Sequence, residues 1–283
     1  MRAMSTPPNP ASLSVSLVLY QSDAVLLDAT LASLEKAVAR ASNSGLLHTP
    51  VAVAVVDNAS PAGYRAQVEP LLHCDPQWLR CSWQSSASNR GFGGGHNLAL
   101  DALDSEYHLV LNPDVELAPD ALQQALASLH PAPDIALMAP AASGSDGATE
   151  FLCKRQPSLL VLLARASGQS WLRRILRRSM EHYEMRELAD ARELVDVPLA
   201  SGCCMLLRTR ALQAVGGFDE QFFMYFEDFD LSLRIAEQGR VVFNPAMRIV
   251  HHGGYTASKG WQHIRLFCRS GIQFFNRYGW RLL

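Results

Sequence analysis

Apolar and polar positions along this chain follow two periods. Residues 14–20 and 51–56 are short apolar runs bounded by polar residues, the pattern of strands buried on both faces. Between them, residues 23–41 repeat apolar positions at helical spacing. The same reading predicts a helix over 64–73, a strand over 79–83, a glycine-rich loop at 89–95 opening a helix that runs to residue 103, and a strand over 107–111. A helix over 120–129 and a strand over 135–138 follow. Strand and helix in regular alternation predict an α/β fold with a mostly parallel sheet. Such sheets take ligands beyond the carboxyl ends of their strands, and Asp57 and Asp114 both stand at such ends.

Beyond residue 140 the pattern changes. Residues 151–186 hold eight basic residues against Glu181 and Glu184. Trp171, Leu172, Ile175 and Leu176 share one side of a predicted helix whose other side is basic, which suits an anionic surface or ligand or an ordinary solvated face. Strand character returns over 195–207, a short helix is predicted over 210–215, and short strands over 241–243 and 248–250. The tail, 261–280, predicts one helix rich in aromatics. The run 218–231 packs five acids among six aromatics. Carboxylates set in apolar surroundings are costly unless a cation, a donor or a proton satisfies them, and such acids hold protons more tightly. Glu227 and Asp228 are therefore candidates for general-base chemistry, with a simple acidic helix start as the plain alternative.

Bulk composition narrows the classes. The 283 residues are 48% hydrophobic and 18% charged, with a net charge of −2, which is globular and gives no reason to expect a nucleic-acid partner. No apolar run reaches 18 residues. The polar, Pro-rich residues 1–12 are expected to be a disordered tail without a signal-peptide core. Six scattered cysteines with no C-x-x-C spacing argue for a reducing cytoplasm rather than a disulfide framework or zinc site.

The motifs VSLVLYQSD, VVDNAS, NRGFGGGHN, LNPDVEL, SGCCMLLRTRAL, GGFDEQFFMYFEDFDLSLR and HHGG, in this order, resemble a family 2 glycosyltransferase of the rhamnosyltransferase-like branch. The likeness spans about residues 12–280. It implies a GT-A fold, a Rossmann-like, mostly parallel central sheet flanked by helices, with a helical acceptor-side insertion and a C-terminal helix. Residues 13–140 would be the nucleotide-binding half, 141–260 the acceptor and catalytic half with a basic helical segment over 151–190, and 261–283 an aromatic helix.

The resemblance also implies roles. Asp228 would be the base of an inverting transfer and Glu227 would orient acceptor or sugar. Asp57 would bind the pyrimidine; a carboxylate can accept the N3–H of uracil or thymine, and cytosine has none. Tyr20 and Gln21 would flank the base or ribose, Asn89 and Gly91 would meet the donor, and Ser201 and Gly202 would line the donor sugar; beside these, Arg90 is placed to meet a phosphate, and the helix expected from about His96 offers free N–H groups suited to anionic oxygens. Asn112, Pro113 and Asp114 occupy the place of the D-x-D motif, with Asn112 replacing its first acid. Asp114 and a histidine, His251 ahead of His252, would hold Mg²⁺ or Mn²⁺, and Lys259 would touch the diphosphate. Asp230 is expected to be structural. The implied partners are a dTDP- or UDP-linked sugar and a saccharide or lipid-diphosphate-linked acceptor, at a cytoplasmic site that the basic segment would bring to the inner membrane face. A nucleotidyltransferase or phosphohydrolase on the same sheet is the rival enzyme class. It is disfavoured because Tyr20-Gln21-Ser22-Asp23 stands where a basic glycine-rich signature would be needed. A dead binding module is disfavoured by the intact acids.

Overall fold

Four apolar runs of the first half assemble as parallel neighbours. β1 (Leu13–Leu19) pairs with β2 (Val51–Asp57) on one side and with β4 (Tyr107–Leu111) on the other, and β3 (Leu79–Ser85) pairs with β2. The computed structural model describes residues 9–100, 103–253 and 261–283. β4 is buried at every position, as its unbroken apolar run requires of a strand covered on both faces. α1 (Ala24–Asn43) starts where the Asp23 carboxylate accepts the N–H groups of Val25 and Leu26, and its buried stripe (Leu27, Leu31, Leu34, Val38) packs on the sheet. Each such leucine contributes about 2 kcal/mol by leaving water. α2 (Tyr64–Val68) is shorter than its pattern predicts, because Pro70 tightens the next turn into a 3₁₀ helix, Glu69–Leu72.

The second half is mixed rather than parallel. β9 (Cys204–Arg208) runs antiparallel between β4 and β6 (Ile135–Gly144). β10 (Arg240–His251) is parallel to β6, and β5 (Val115–Leu117) is antiparallel to β10, giving the order β3-β2-β1-β4-β9-β6-β10-β5. The expected single strand over 195–207 is two: β8 (Val195–Asp196) pairs with β10, and residues 197–203, which bridge to Lys154 at Leu199 and turn at Gly202–Cys203, lead into β9. The two strands expected over 241–250 are one. Pro245 lies in a bulge between Asn244 and Arg248, where a missing N–H is tolerated. Two-residue β7 (Thr149–Glu150) pairs with β6.

The basic segment forms three short helices, α5 (Leu159–Ser167), α6 (Ser170–Ile175) and α7 (Arg177–Tyr183). α10 (Trp261–Tyr278) buries Phe274 and Phe275, and Phe274 joins Phe222 and Phe226 in an aromatic cluster. The chain is tied down before residue 13: Ala11 is buried, donates to the Leu46 carbonyl at 2.9 Å and accepts from His48 at 2.8 Å. Ala11, within the expected tail of residues 1–12, is thus held to the fold.

Candidate active site

The carboxyl edge of the parallel strands organises the site. Asp57 ends β2 opposite Leu19, and Asn112 follows β4 two strands away, about 10 Å at the usual strand spacing. One Asp57 oxygen accepts the Ser60 N–H at 3.0 Å, so the acid also starts a turn, and its other oxygen meets no donor among the described residues. Tyr20 is 50% exposed on the same edge. A groove of about 580 Å³, lined by 21–25 and 61–64 with Gln67, flanks this end of the site.

The β4–β5 turn and the end of β10 form a cradle. Val115 pairs with His251, and the His252 N–H donates to the Asp114 carbonyl at 2.8 Å, which fixes Asp114 beside residues 251–253. His251 Nε2 stands 3.9 Å from Asp114 Oδ1, and that oxygen is buried with no hydrogen-bond partner among the described residues. A buried carboxylate oxygen without a donor is costly, and a cation would satisfy it. Space is kept by Gly253, whose Cβ would lie 2.2 Å from Asp114 Oδ2 and 2.9 Å from His251 Nε2. His251 Nδ1 meets Glu150 Oε2 at 2.8 Å, so the ring is oriented with Nε2 toward Asp114, the arrangement that supports metal-binding histidines. His252 Nε2 instead meets Glu116 at 2.7 Å. These donors fit a hard or borderline divalent ion. No group of three or more His, Cys, Asp or Glu side chains among the described residues could hold one alone. Remaining positions would fall to ligand oxygens and water.

The acid pair opens α9 (Glu227–Ile235) after a strained approach. Tyr225 and Phe226 both have positive φ, 70° and 66°, conformations that cost about 1–3 kcal/mol each in non-glycine residues. Packing holds them there: Phe226 is buried against Phe267 and Phe274, and the Ser270 hydroxyl donates to the Met224 carbonyl at 2.8 Å. Asp228 accepts from the Gly202 N–H at 3.0 Å and the Phe229 N–H at 2.9 Å. Burial pushes its proton affinity up to about 6, with those donors pulling the other way. Burial also lifts Glu227 well above the carboxylate range, the Asp228 charge adds to it, and Glu227 Oε2 has no partner among the described residues. Asp230 is structural: it is fully buried and meets Arg234, Arg277 and Tyr278 at 2.8, 2.6 and 2.7 Å.

These pieces join through a ring of contacts. Asp228 holds Gly202, and the Cys203 carbonyl accepts the Asn112 N–H at 2.8 Å. Asn58, beside Asp57, donates to Asn89 Oδ1 at 3.1 Å and the Gly91 carbonyl at 2.8 Å, and accepts from Arg90 N–H at 2.9 Å. Gly91 in turn abuts Phe223, whose carbonyl accepts the Phe92 N–H at 3.1 Å.

The profile of glycosyl transferase family 2 matches residues 14–216, well over half of the chain. The chain belongs to that family. An N-acetylglucosaminyl-diphospho-decaprenol L-rhamnosyltransferase of Mycobacterium tuberculosis H37Rv is 29% identical over 227 residues, 77% of this chain and 72% of the relative. The low-salt glycan biosynthesis hexosyltransferase Agl10 of Haloferax volcanii is 27% identical over 184 residues, 64% of this chain and 52% of Agl10. Among solved structures, GalNAc-T7 with UDP, GalNAc and Mn²⁺ superimposes with a TM-score of 0.62 at 13% identity, over 87% of this chain and 44% of that one. The mannosyltransferase PcManGT from Pyrobaculum calidifontis with GDP-Man and Mn²⁺ gives 0.60 at 18% identity, over 95% and 64%. Both likenesses concern the fold, which is GT-A.

In this family 2 glycosyltransferase the glycine loop differs from its expected use. The run is itself α3 (Gly91–Asn97), and it stops short of residue 103. Its first amides are not free for anionic oxygens: those of Arg90, Gly91 and Phe92 bond Asn58, Asn89 and Phe223. Arg90 pairs with Glu220 at 2.7 Å rather than standing free for a phosphate. Asn89 and Gly91 thus lock the loop to the Asp57 turn and the acidic segment. Lys259 lies outside the described residues. In the basic segment, Glu184 is shared by Arg165 and Arg186, and Lys154 and Arg165 both lie over the Tyr183 ring, at 5.8 and 5.7 Å. Three cations around one acid leave this cluster positive, and burial pushes Lys154 down to about 8. Asn58 and Glu150 were not singled out by sequence reasoning. Asn58 reads as an ordinary turn residue, and Glu150 lies 101 positions from the ring it orients.

Proposed function

We propose that this glycosyltransferase catalyses an inverting, metal-dependent transfer of rhamnose from dTDP-rhamnose to a hydroxyl of a saccharide or lipid-diphosphate-linked acceptor, in bacterial surface polysaccharide synthesis. The observation that carries the reading is the orphaned Asp114 oxygen facing His251, linked through Asn112, Cys203 and Gly202 to Asp228. Asp114 and His251 would hold Mg²⁺ or Mn²⁺, which offsets charge gathering on a departing nucleoside diphosphate. The free Asp57 oxygen accepts a base N3–H, and Tyr20 covers the base. Asp228 takes the proton of the acceptor hydroxyl as its oxygen bonds the anomeric carbon and the bond to the diphosphate breaks. Two backbone N–H groups keep the Asp228 carboxylate aimed. Glu227 presents its protonated carboxyl to the sugar or acceptor, while Asn112, Ser201 and Gly202 line the donor side.

The mycobacterial relative supports rhamnose and a lipid-diphosphate acceptor by its name, and the GT-A structures carrying UDP or GDP-Man with Mn²⁺ support a metal-assisted nucleotide-sugar. A UDP-sugar donor is the second reading, because the Asp57 contact is common to uracil and thymine. No helix of the described residues is long and apolar enough to cross a membrane, and an acceptor anchored in lipid would bring the enzyme to the inner membrane face. A panel of dTDP- and UDP-sugars, read as nucleotide release with and without a polyprenyl-diphosphate-sugar acceptor, tests this. Release from dTDP-rhamnose that requires acceptor and divalent metal is expected. Nucleotide or phosphate release indifferent to acceptor would indicate a phosphohydrolase instead.

A further inference from the structure

Two segments of the chain carry all their charge with one sign. Residues 159–180 hold five arginines and residues 261–283 hold four, with no Asp or Glu in either. Against a net charge of −2, these nine positive charges leave −11 on the remainder, so positive charge is concentrated in these two segments. Arg165 and Arg277 are consumed by Glu184, Asp219 and Asp230. Arg173 turns inward to the carbonyls of Ala164 and Arg165, and Arg177 reaches Glu181 only at 3.7 Å. Arg174, Arg178, Arg265, Arg269 and Arg281 meet no acid among the described residues.

Apolar side chains stand exposed among these cations. On α6, Trp171 and Ile175 are 60% and 71% exposed one turn apart. On α10, Trp261, Ile264, Cys268 and Ile272 form an exposed stripe at helical spacing, turned away from the buried Ser270 and Phe274 and ending at buried Phe275, which stacks on Trp280. The two are joined at the C-terminus. The Leu159 and Leu160 amides donate to the Arg281 and Leu282 carbonyls at 2.9 and 3.1 Å, which sets exposed Trp280, Leu282 and Leu283 at the start of α5, next to exposed Leu163. A water-facing surface gains nothing from so many large apolar groups. Trp, Leu and Ile interleaved with arginine is the composition of elements that lie in a lipid interface.

We propose that α6 with the start of α7, the outer side of α5, α10 and the C-terminal residues form a docking surface for an anionic lipid bilayer. The proposal rests on the lipid-linked acceptor only for its purpose: a docked enzyme meets such an acceptor in the plane where it resides. Geometry favours this use. Leu162, on the inner side of α5, packs on the cluster containing Phe226, the residue before Glu227, so about one helix diameter, ~10 Å, separates the docking face from the acid pair. Arg165 on the same helix faces Tyr183 and Glu184 in the positive cluster of the basic segment.

The test is co-sedimentation of the full chain, without donor or acceptor, with vesicles of phosphatidylcholine alone or mixed equally with phosphatidylglycerol. Binding to the mixed vesicles only is expected, lost near 1 M salt, where screening acts within about 3 Å. Each arginine near an anionic surface is worth about five-fold in partition, so Arg174→Gln with Arg178→Gln should weaken binding about 25-fold. Trp171→Ser with Ile175→Ser should weaken it independently. Both pairs should retain the wild-type melting temperature and nucleotide release with a soluble acceptor. Equal binding to both vesicle types, no binding, or unchanged binding of the arginine pair would overturn the proposal. So would a wild-type dimer, seen by sedimentation velocity without lipid, that the tryptophan pair dissociates. Because no sugar is transferred in this assay, a wrong donor or acceptor assignment leaves its outcome untouched.

Discussion

Replacing Asp228 by Asn separates the two consequences of burying a base, because activity and stability should move in opposite directions. Asn preserves shape and can still accept one of the two N–H groups now aimed at the carboxylate, from Gly202 and Phe229. It cannot remove a proton. Loss of a general base lowers kcat by about 10²–10⁴-fold while donor affinity stays level. Stability follows from the proton affinity, about 6 in the folded state against an ordinary 3.8. A raised folded value means the ionised form is disfavoured by folding, so stability is fully present below pH 3.8 and is lost as pH rises through about 6. Two units correspond to roughly 3 kcal/mol at neutral pH. A misplaced Asn amide facing an N–H returns about 1–2 kcal/mol of that. The variant should therefore be about 1 kcal/mol more stable than wild type at pH 7, an advantage that disappears by about pH 5 as the wild-type carboxyl takes up its proton.

Urea unfolding at the two pH values and nucleotide release with acceptor provide both readings. Wild-type kcat/KM should also fall on the acid side with an apparent midpoint near 6 that belongs to the Glu227–Asp228 pair rather than to either residue. Turnover close to wild type, or a variant less stable at pH 7 than at pH 5 relative to wild type, would refute the reasoning.

Three further substitutions probe separate links. Gly253→Ala would drive a methyl to 2.2 Å from Asp114 Oδ2, so nucleotide-dependent Mn²⁺ binding, followed by electron paramagnetic resonance, should drop at least ten-fold with little change in melting temperature; undiminished Mn²⁺ binding would place the ion elsewhere. Glu150→Gln should weaken the same binding by about 10–100-fold through loss of His251 orientation; an unchanged affinity would make the Glu150 contact incidental. Gly91→Ala has φ +75° and a Cβ 1.9 Å from the Phe223 carbonyl oxygen, so denaturant unfolding should show a loss of about 2–4 kcal/mol, and a near-neutral result would mean the loop is free to move.

How far the site was legible depended on whether the deciding force is local. Strand ends are local, and so Asp57 and Asp114 could be placed on one edge from apolar runs and turn residues alone. The acid pair stood out because five acids among six aromatics is improbable on a solvated face. The antiparallel entry of β9 was not legible, since an apolar run has no direction until its neighbours are known. The glycine loop failed for a related reason. Glycines allow close approach without saying what approaches, and here it is the Phe223 backbone rather than a phosphate. Asn58 and Glu150 mark the same limit. Each acts through one contact set by tertiary placement, and a single Asn after a strand or a single Glu in a two-residue strand carries no periodic signal. Even Asp228 was legible only in type and position. Its proton affinity depends on burial behind Gly202, which sits in a turn between strands that pair with different partners. A base tuned this way would be coupled to the donor side, because whatever shifts residues 198–203 changes the exposure of Asp228 and the hold on Asn112 together. Donor binding against that segment would then alter base strength and metal-side geometry in one movement, which would give proton removal a physical reason to wait for the donor.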